Sequence, residues 1–137
     1  MKTFKKLSAV ILAVLIAFML SACGTKELPE GFDEKEIVRS AEKVIELLSE
    51  KDYEAVTEQF SDVMEGLTAE KISEAMEKKL GRIGEYKEST LKGITGGNSE
   101  ETGDFVTAVM ISEYETGSLV YTISFDRDGR ICGLSMA

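Results

Sequence analysis

The spacing of apolar residues changes from helical to alternating near Gly84, and this change constrains the fold more than any other feature of the sequence. From Ile37 to Gly84, apolar residues return every three or four positions, which is the period of an amphipathic helix. After Gly84, they return at every second position, as in a β-strand. Helices followed by strands are typical of an α+β protein. The sequence therefore predicts three N-terminal helices packed on a four-stranded antiparallel sheet.

Two helices are predicted between Asp33 and Phe60. Asp33 can cap the first, because its carboxylate can accept a hydrogen bond from the first turn, and Glu36 follows as its partner in a capping box. The apolar stripe of this helix contains Ile37, Ala41, Val44, Ile45 and Leu48. Asp52 is the expected cap of a second, shorter helix. Its apolar face contains Tyr53, Val56 and Phe60.

A third helix is predicted from Thr68 to Gly81, where the glycine is a typical C-terminal signal. Its apolar stripe contains Ile72, Ala75, Met76 and Leu80. Between the second and third helices, the segment SDVMEGL is expected to form a turn of helix. This turn is predicted to add Val63 and Met64 to the packing.

The second half of the chain predicts four strands. They cover residues 85–94, 104–114, 118–126 and 130–136, and the glycine-rich residues 96–103 are expected to form a loop. The second strand is apolar on both faces from Val106 to Ile111, which predicts a central position in the sheet. One face of the third strand contains Leu119, Tyr121, Ile123 and Phe125. Gly129 supplies a left-handed position for the last hairpin turn.

Three stretches give the chain a resemblance to known domains. They read LLSEKDYEAVTEQFSDVMEGLTAEKI, GEYKE and VYTISFDRDGRICGL, within a region from about Ile37 to Met136. In this region the chain resembles the cystatin-like, nuclear-transport-factor-like fold. More narrowly, it resembles a bacterial domain family of unknown function that occurs on lipoproteins and ahead of α/β-hydrolases. The resemblance implies a fold and no settled activity.

Residues 1–22 have the three parts of a secretory signal peptide. Lys2, Lys5 and Lys6 form a basic start, an uncharged apolar run from Leu7 to Leu20 follows, and small residues complete the segment. The apolar run is shorter than the roughly 20 residues that cross a bilayer. A retained single span is the alternative interpretation.

The residues LSAC, which are Leu20, Ser21, Ala22 and Cys23, resemble the lipobox of bacterial lipoproteins. The resemblance implies that a diacylglycerol is attached to the Cys23 sulfur and that a signal peptidase cuts between Ala22 and Cys23. The protein would then be lipid-anchored at the extracytoplasmic face of the cell membrane. A plain secreted protein with an incidental cysteine is the alternative.

This interpretation divides the chain into three parts. Residues 1–22 are the signal peptide, residues 23–31 are the lipidated cysteine with a polar tether, and residues 32–137 are a single α+β domain. A lipidated Cys23 cannot form a disulfide with Cys132, which is the other cysteine of the chain. Cys132 is therefore expected to be a small apolar residue of the last strand.

The composition argues against several classes of function. The formal net charge is −9, and loss of the lysines in the signal peptide makes it more negative, so the domain is predicted to repel nucleic acid. The absence of histidine excludes Ser-His-Asp triads and His-bearing zinc sites. No cofactor and no metal site are predicted. Residues 126–129, DRDG, are interpreted as a turn because strands flank them, whereas the calcium loop of an EF-hand lies between helices.

Six aromatic residues are candidates to line an apolar cavity between sheet and helices. They are Tyr53, Phe60, Tyr86, Phe105, Tyr121 and Phe125. The alternative is that these side chains simply fill the core. Acidic residues in or beside the strands, which could take part in acid–base chemistry if buried, are Glu85, Glu88, Glu113 and Glu115.

The leading functional hypothesis is a non-catalytic binding or interaction module. Its expected partners are the membrane, through the lipid on Cys23, and a small apolar ligand or an envelope protein. A homodimer joined through the sheet face is a further expectation. The alternative hypothesis is a small cryptic enzyme that uses a carboxylate and a tyrosine in a sheet-lined cavity.

Overall fold

The computed structural model describes residues 28–137, so the lipobox residues Leu20, Ser21, Ala22 and Cys23 lie outside the described part of the chain. The helices are α1 (Glu34–Ser49), α2 (Tyr53–Thr57) and α3 (Ala69–Ile83), with a short 3-10 turn at Asp62–Met64. The strands are β1 (Tyr86–Ser99), β2 (Gly103–Tyr114), β3 (Gly117–Asp126) and β4 (Ile131–Met136). They form an antiparallel sheet in the order β1-β2-β3-β4. The predicted α+β architecture of three helices and four strands is confirmed.

The helices pack on one face of the sheet, which is named the inner face here. From α1, the buried residues are those of the predicted stripe, Ile37, Ala41, Val44, Ile45 and Leu48. From the sheet, β2 and β3 bury Val106, Ala108, Met110, Tyr114, Leu119, Tyr121, Ile123 and Phe125. The alternate residues of both strands point to the opposite, outer face. The central position predicted for β2 is confirmed, because it pairs with β1 and β3.

The helices begin where the sequence predicts. Asp33, Asp52 and Thr68 each accept a hydrogen bond from a backbone N–H of the first turn, at 3.0 to 3.3 Å. These bonds satisfy donors that have no partner inside the helix. Across residues 28–137, none of the helices has the length and hydropathy needed to cross a bilayer.

The end predicted for α3 is wrong. The helix continues through Gly81 to Ile83 and ends at Gly84, whose φ is 81°. The last carbonyl groups of α3 find partners in the β2–β3 turn. The Thr116 N–H donates to the Ile83 carbonyl at 2.9 Å, and the Thr116 hydroxyl donates to the Arg82 carbonyl at 3.1 Å. Because these bonds come from a distant part of the chain, local spacing did not predict them.

Two packing predictions for the helical half are also wrong. Ala75 is exposed, because α3 buries only the narrow seam of Ile72, Met76 and Leu80. Val63 is 43% exposed, because the 3-10 turn lies beside β4 and directs this side chain away from the core. Met64 packs partly against the core, as predicted.

The glycine-rich segment predicted as a loop is mostly strand. β1 extends through Gly96 and Gly97, and pairs with β2 as far as the start of that strand. The Phe105 ring occupies the space that a Cβ of Gly97 would need, on the outer face. Pro29 occupies the corresponding space over Gly96, on the inner face. The glycines therefore serve close packing in a strand, and only residues 100–102 connect β1 to β2.

The turn between β3 and β4 is confirmed. Gly129 has a φ of 77°, and the Asp126 carboxylate accepts hydrogen bonds from the Asp128 and Arg130 N–H groups at 2.9 Å. Asp126 thus acts as a turn residue that satisfies local backbone donors.

Alanine substitutions at Val106 and Val109 test the assignment of the two faces. Val106 is fully buried on the inner face, so V106A should lower the free energy of unfolding by about 2 kcal/mol. Val109 is half-buried on the outer face of the same strand, so V109A should cost less than about 1 kcal/mol. Urea denaturation followed by circular dichroism measures both changes. Equal losses would contradict the assignment.

Candidate functional site

Three hydroxyl groups meet between α1 and the inner face of the sheet. The Tyr114 hydroxyl lies 2.8 Å from the Ser49 Oγ and 2.6 Å from the Tyr121 hydroxyl. Tyr121 is fully buried, and Tyr114 is nearly so. Ser49, Tyr114 and Tyr121 are named the hydroxyl cluster. Because the Tyr114 oxygen contacts both other groups, it links α1 to β2 and β3.

Regular secondary structure delivers each member of the cluster. Ser49 is the last residue of α1 and follows Ile45 by four positions, so it continues the stripe that faces the sheet. Tyr114 ends the alternating series that Val106 begins on β2. Tyr121 belongs to the corresponding series on β3. The cluster is therefore a polar extension of the apolar interface.

A second row of hydroxyls adjoins the cluster through Tyr114. The Tyr86 hydroxyl lies 2.7 Å from the Ser89 Oγ, which lies 2.7 Å from the Oγ of the fully buried Ser112. Tyr86 and Tyr114 are cross-strand partners, and their rings meet edge to face with centroids 5.6 Å apart. Such pairs contribute beyond the area that they bury. Tyr114 thus belongs to the hydroxyl cluster and contacts the second row through the Tyr86 ring.

Tyr121 and Tyr53, two buried tyrosines of this region, remain neutral phenols. Burial, together with the hydrogen bond between Tyr121 and Tyr114, raises the pKa of Tyr121 far above its usual range. Burial also raises the pKa of Tyr53, and the charge of Glu77 adds to the effect. The Tyr53 side chain is only 7% exposed, and its buried hydroxyl has no hydrogen-bond partner among the described residues. These groups can donate and accept hydrogen bonds, but they do not ionise near neutral pH.

The acidic residues considered for acid–base chemistry are on the surface. Glu85, Glu88, Glu113 and Glu115 are all exposed, and no Asp or Glu side chain is buried within residues 28–137. A general acid or base needs a carboxylate whose pKa its surroundings have tuned. The hydroxyl cluster therefore fixes α1 on the sheet, and among the described residues no buried carboxylate adjoins it.

The structure brings some of the six candidate aromatic residues together and separates others. Tyr53, Tyr121 and Phe125 are buried in the core on the inner face. Phe60 and Tyr86 are half-buried at the margin of this core. Phe105 is on the outer face, so it is not part of the inner-face group.

Phe105 lines a groove of about 330 Å³ on the outer face. The lining residues are Val63, Ser99, Glu101, Thr102, Phe105, Ser124 and Cys132. Cys132 is half-buried there, and burial, reinforced by the charge of Asp126, raises the pKa of its thiol. A thiol that stays protonated at neutral pH is a weak nucleophile.

The first described residues form a strap across one end of the sheet. The strap comprises residues 28–33, which lead into α1. Leu28 and Phe32 pack partly against the core, and Pro29 lies over Gly96. The described part of the predicted tether, residues 28–31, thus packs against the domain.

Arg127, in the β3–β4 hairpin, fastens the strap. Its Nη1 donates to the Glu30 carbonyl at 2.8 Å, and its guanidinium carbon lies 5.9 Å from the centre of the Phe32 ring. Its Nη2 forms an ion pair with Asp104. The Asn98 side-chain amide donates to the other Asp104 oxygen at 2.8 Å. Hydrogen bonds from Asn98 and Arg127 lower the pKa of the Asp104 carboxyl.

Comparisons with known proteins match this chain to a domain family of unknown function. Residues 41–134 match the family described as "Protein of unknown function (DUF3887)". The chain is also similar to an NMR structure of a protein from Ruminococcus gnavus ATCC 29149, with a TM-score of 0.67 and 30% sequence identity. That similarity covers 81% of this chain and 96% of the other. No curated protein matches the chain.

Tyrosine-to-phenylalanine substitutions test the role of the hydroxyl cluster. Y114F should lower the free energy of unfolding by about 1–3 kcal/mol, because it leaves the hydroxyls of Ser49 and Tyr121 without their partner. Y53F removes a hydroxyl that has no partner within residues 28–137, so stability should be unchanged or increased. Urea denaturation measures both. The interpretation fails if Y53F costs as much as Y114F.

The titration of Asp104 tests the contacts that fasten the strap. Carbon-13 NMR should give a carboxyl midpoint below the ordinary value of 3.8. Because the folded-state pKa is lowered, the contribution to stability is complete at neutral pH and is lost as the pH falls through this midpoint. Asn98→Ala and Arg127→Gln should each move the midpoint upward. A midpoint at 3.8 or above in the unsubstituted protein would contradict these contacts.

Proposed function

Because this chain belongs to the DUF3887 family, whose description assigns no activity, we propose its function from its own sequence and geometry. We propose that it is a lipid-anchored lipoprotein at the extracytoplasmic face of the cell membrane. Its α+β domain acts there as a non-catalytic binding or interaction module. The observation that carries the proposal is the sequence LSAC at residues 20–23, placed directly after an uncharged apolar run.

The distance between Cys23 and the folded domain supports the anchor. Leu28 is the first described residue, and it already packs against the core. Fully extended, the five peptide steps from Cys23 to Leu28 span roughly 18 Å. A lipid on the Cys23 sulfur would therefore hold the domain beside the bilayer. Two acyl chains provide stable anchoring, since each buried methylene contributes about 0.8 kcal/mol.

The chemistry of the core supports a binding role over catalysis. Burial raises the pKa of Tyr121, so its hydroxyl is neutral, and this hydroxyl is bonded to that of Tyr114. The cryptic-enzyme hypothesis requires a carboxylate next to such a tyrosine. Because the acidic side chains of residues 28–137 are exposed or half-exposed, the described core supplies no such pair.

The outer face of the sheet is the surface that we assign to a partner. Ile111 and Val120 are half-buried cross-strand neighbours on this face, and the groove beside Phe105 lies on the same face. The partners that we propose are an envelope protein, a second copy of the chain or a small apolar ligand. The arrangement of helices on one face of a meandering sheet also supports our proposal of a cystatin-like, nuclear-transport-factor-like fold.

Cysteine-to-alanine substitutions in a bacterial host test the anchor. The N-terminal peptide of the unsubstituted protein should begin at Cys23 and carry the mass of the lipid. Cys23→Ala should abolish the lipid mass and the cleavage after Ala22, because the acceptor sulfur is gone. Cys132→Ala, the matched control, should retain both, since this thiol lies in the outer groove. Mass spectrometry and detergent-phase partition measure these outcomes.

The test has a clear contrary result. The unsubstituted protein could stay in the membrane fraction with residues 1–22 attached and Cys23 unmodified. That result would identify the segment as a retained span. A released protein without lipid would identify a secreted one. Either result would overturn the lipoprotein proposal.

A further inference from the structure

We propose that the strap fixes which end of the domain faces the membrane, and that Arg127 is the residue that holds this orientation. The end in question carries the β3–β4 hairpin and the β1–β2 turn, and it is named the near end. The inference rests on the proposed lipid anchor. Beyond that anchor, the domain does not tumble freely but stands with its near end against the lipid headgroups.

The contacts of the strap place it at the near end. Pro29 lies over Gly96, which pairs with Val106 close to the start of β2. Glu30 is bonded to Arg127 of the hairpin. The opposite end of the sheet carries the β2–β3 turn. β2 contains 12 residues, so the two ends are about 40 Å apart.

The fastened strap shortens the connection to the membrane. With the strap in place, the chain from Cys23 reaches Leu28 within roughly 18 Å, so the near end stays beside the headgroups. With the strap detached, the free chain would extend to α1 at Glu34, and its reach would roughly double. Since that length approaches the length of the sheet, either end could then approach the bilayer. The contacts of the strap therefore determine the orientation.

Two glycines fit the strap to the domain. Gly31 has a φ of 94°, and a Cβ built on it would lie 3.1 Å from the Arg127 Nη1. Gly96 leaves the space that Pro29 occupies. The left-handed conformation at Gly31 is strained for other residues. The strap thus depends on a specific backbone turn at the arginine as well as on hydrogen bonds.

Charge does not explain the proposed orientation. The near end exposes Glu100, Glu101 and Asp128, together with Arg127 and Arg130. This mixture offers no strong attraction to anionic headgroups. The orientation therefore comes from the covalent connection, and we expect it to persist when salt screens surface charges.

Energy transfer to the membrane tests the orientation. The lipidated mature protein, which begins at Cys23 and carries Cys132→Ala, is reconstituted in phosphatidylcholine vesicles that contain an acceptor dye on the headgroups. A donor dye is attached through Asp128→Cys at the near end or through Ser118→Cys at the far end, since both positions are exposed. The two positions lie about 30 Å apart along β3. Transfer from position 128 should be clearly more efficient than transfer from position 118, at low and at high salt.

Substitutions at the strap test the role of Arg127. Arg127→Gln should move the ratio of the two transfer efficiencies towards one, because it removes the bond to Glu30 and the ion pair with Asp104. Gly31→Ala should have the same effect without any change of charge. Arg130→Gln is the matched control in the same hairpin. Its guanidinium donates to the Phe60 carbonyl at 3.3 Å and does not bond to the strap, so the ratio should stay unchanged.

The outcomes separate the inference from the proposal on which it rests. Protein that does not partition with the vesicles would overturn the lipid anchor. Vesicle-bound protein with equal transfer from both positions, or with stronger transfer from position 118, would overturn the orientation. The role assigned to Arg127 would be overturned if Arg127→Gln and Gly31→Ala left the ratio of the two transfer efficiencies unchanged. It would also be overturned if Arg130→Gln lowered this ratio equally.

Discussion

The rest of the structure depends on the packing of α1 against the inner face of β2 and β3. Because the helices cover one face of the sheet, the apolar core has to form on that face. An unpaired buried hydroxyl, such as that of Tyr53, destabilises the fold, so a tyrosine in this core gains stability when its hydroxyl finds a partner. Tyr114 does so by bonding to Ser49 of the helix and to Tyr121 of the neighbouring strand. These directional hydrogen bonds, together with the apolar contacts, fix the position of α1 on the sheet.

Features that depend on local periodicity were predictable from the sequence. The stripe of α1 and the inner face of β3 were identified residue by residue, because the helical and strand periods determine which side chains share a face. The caps Asp33 and Asp52 and the start of the third helix at Thr68 were also predictable, since these side chains act on the backbone of their own first turn. The same holds for the hairpin turn at Gly129.

Features that depend on distant contacts were not predictable. Gly81 resembles a helix terminator, but Thr116 bonds to the last carbonyls of α3 and the helix continues. Gly96 and Gly97 resemble a loop, but their missing side chains make room for Pro29 and Phe105. The hydroxyl cluster has a weak signal in the sequence. Every second residue of β2 from Val106 to Tyr114 faces the core. Because the strand is apolar on both faces, the sequence does not show which of these two sets of residues is buried.

The proposed orientation also determines how a partner would reach the outer face. If the near end stands against the headgroups, the strands run away from the membrane and both faces of the sheet point sideways. The half-buried pair Ile111 and Val120, together with the groove beside Phe105, would then face along the membrane surface. A partner anchored in the same membrane, whether an envelope protein or a second copy, could approach this face at a fixed height. A short, fastened connection therefore favours recognition between neighbours in one membrane, because it limits the orientations that each partner must lose on binding.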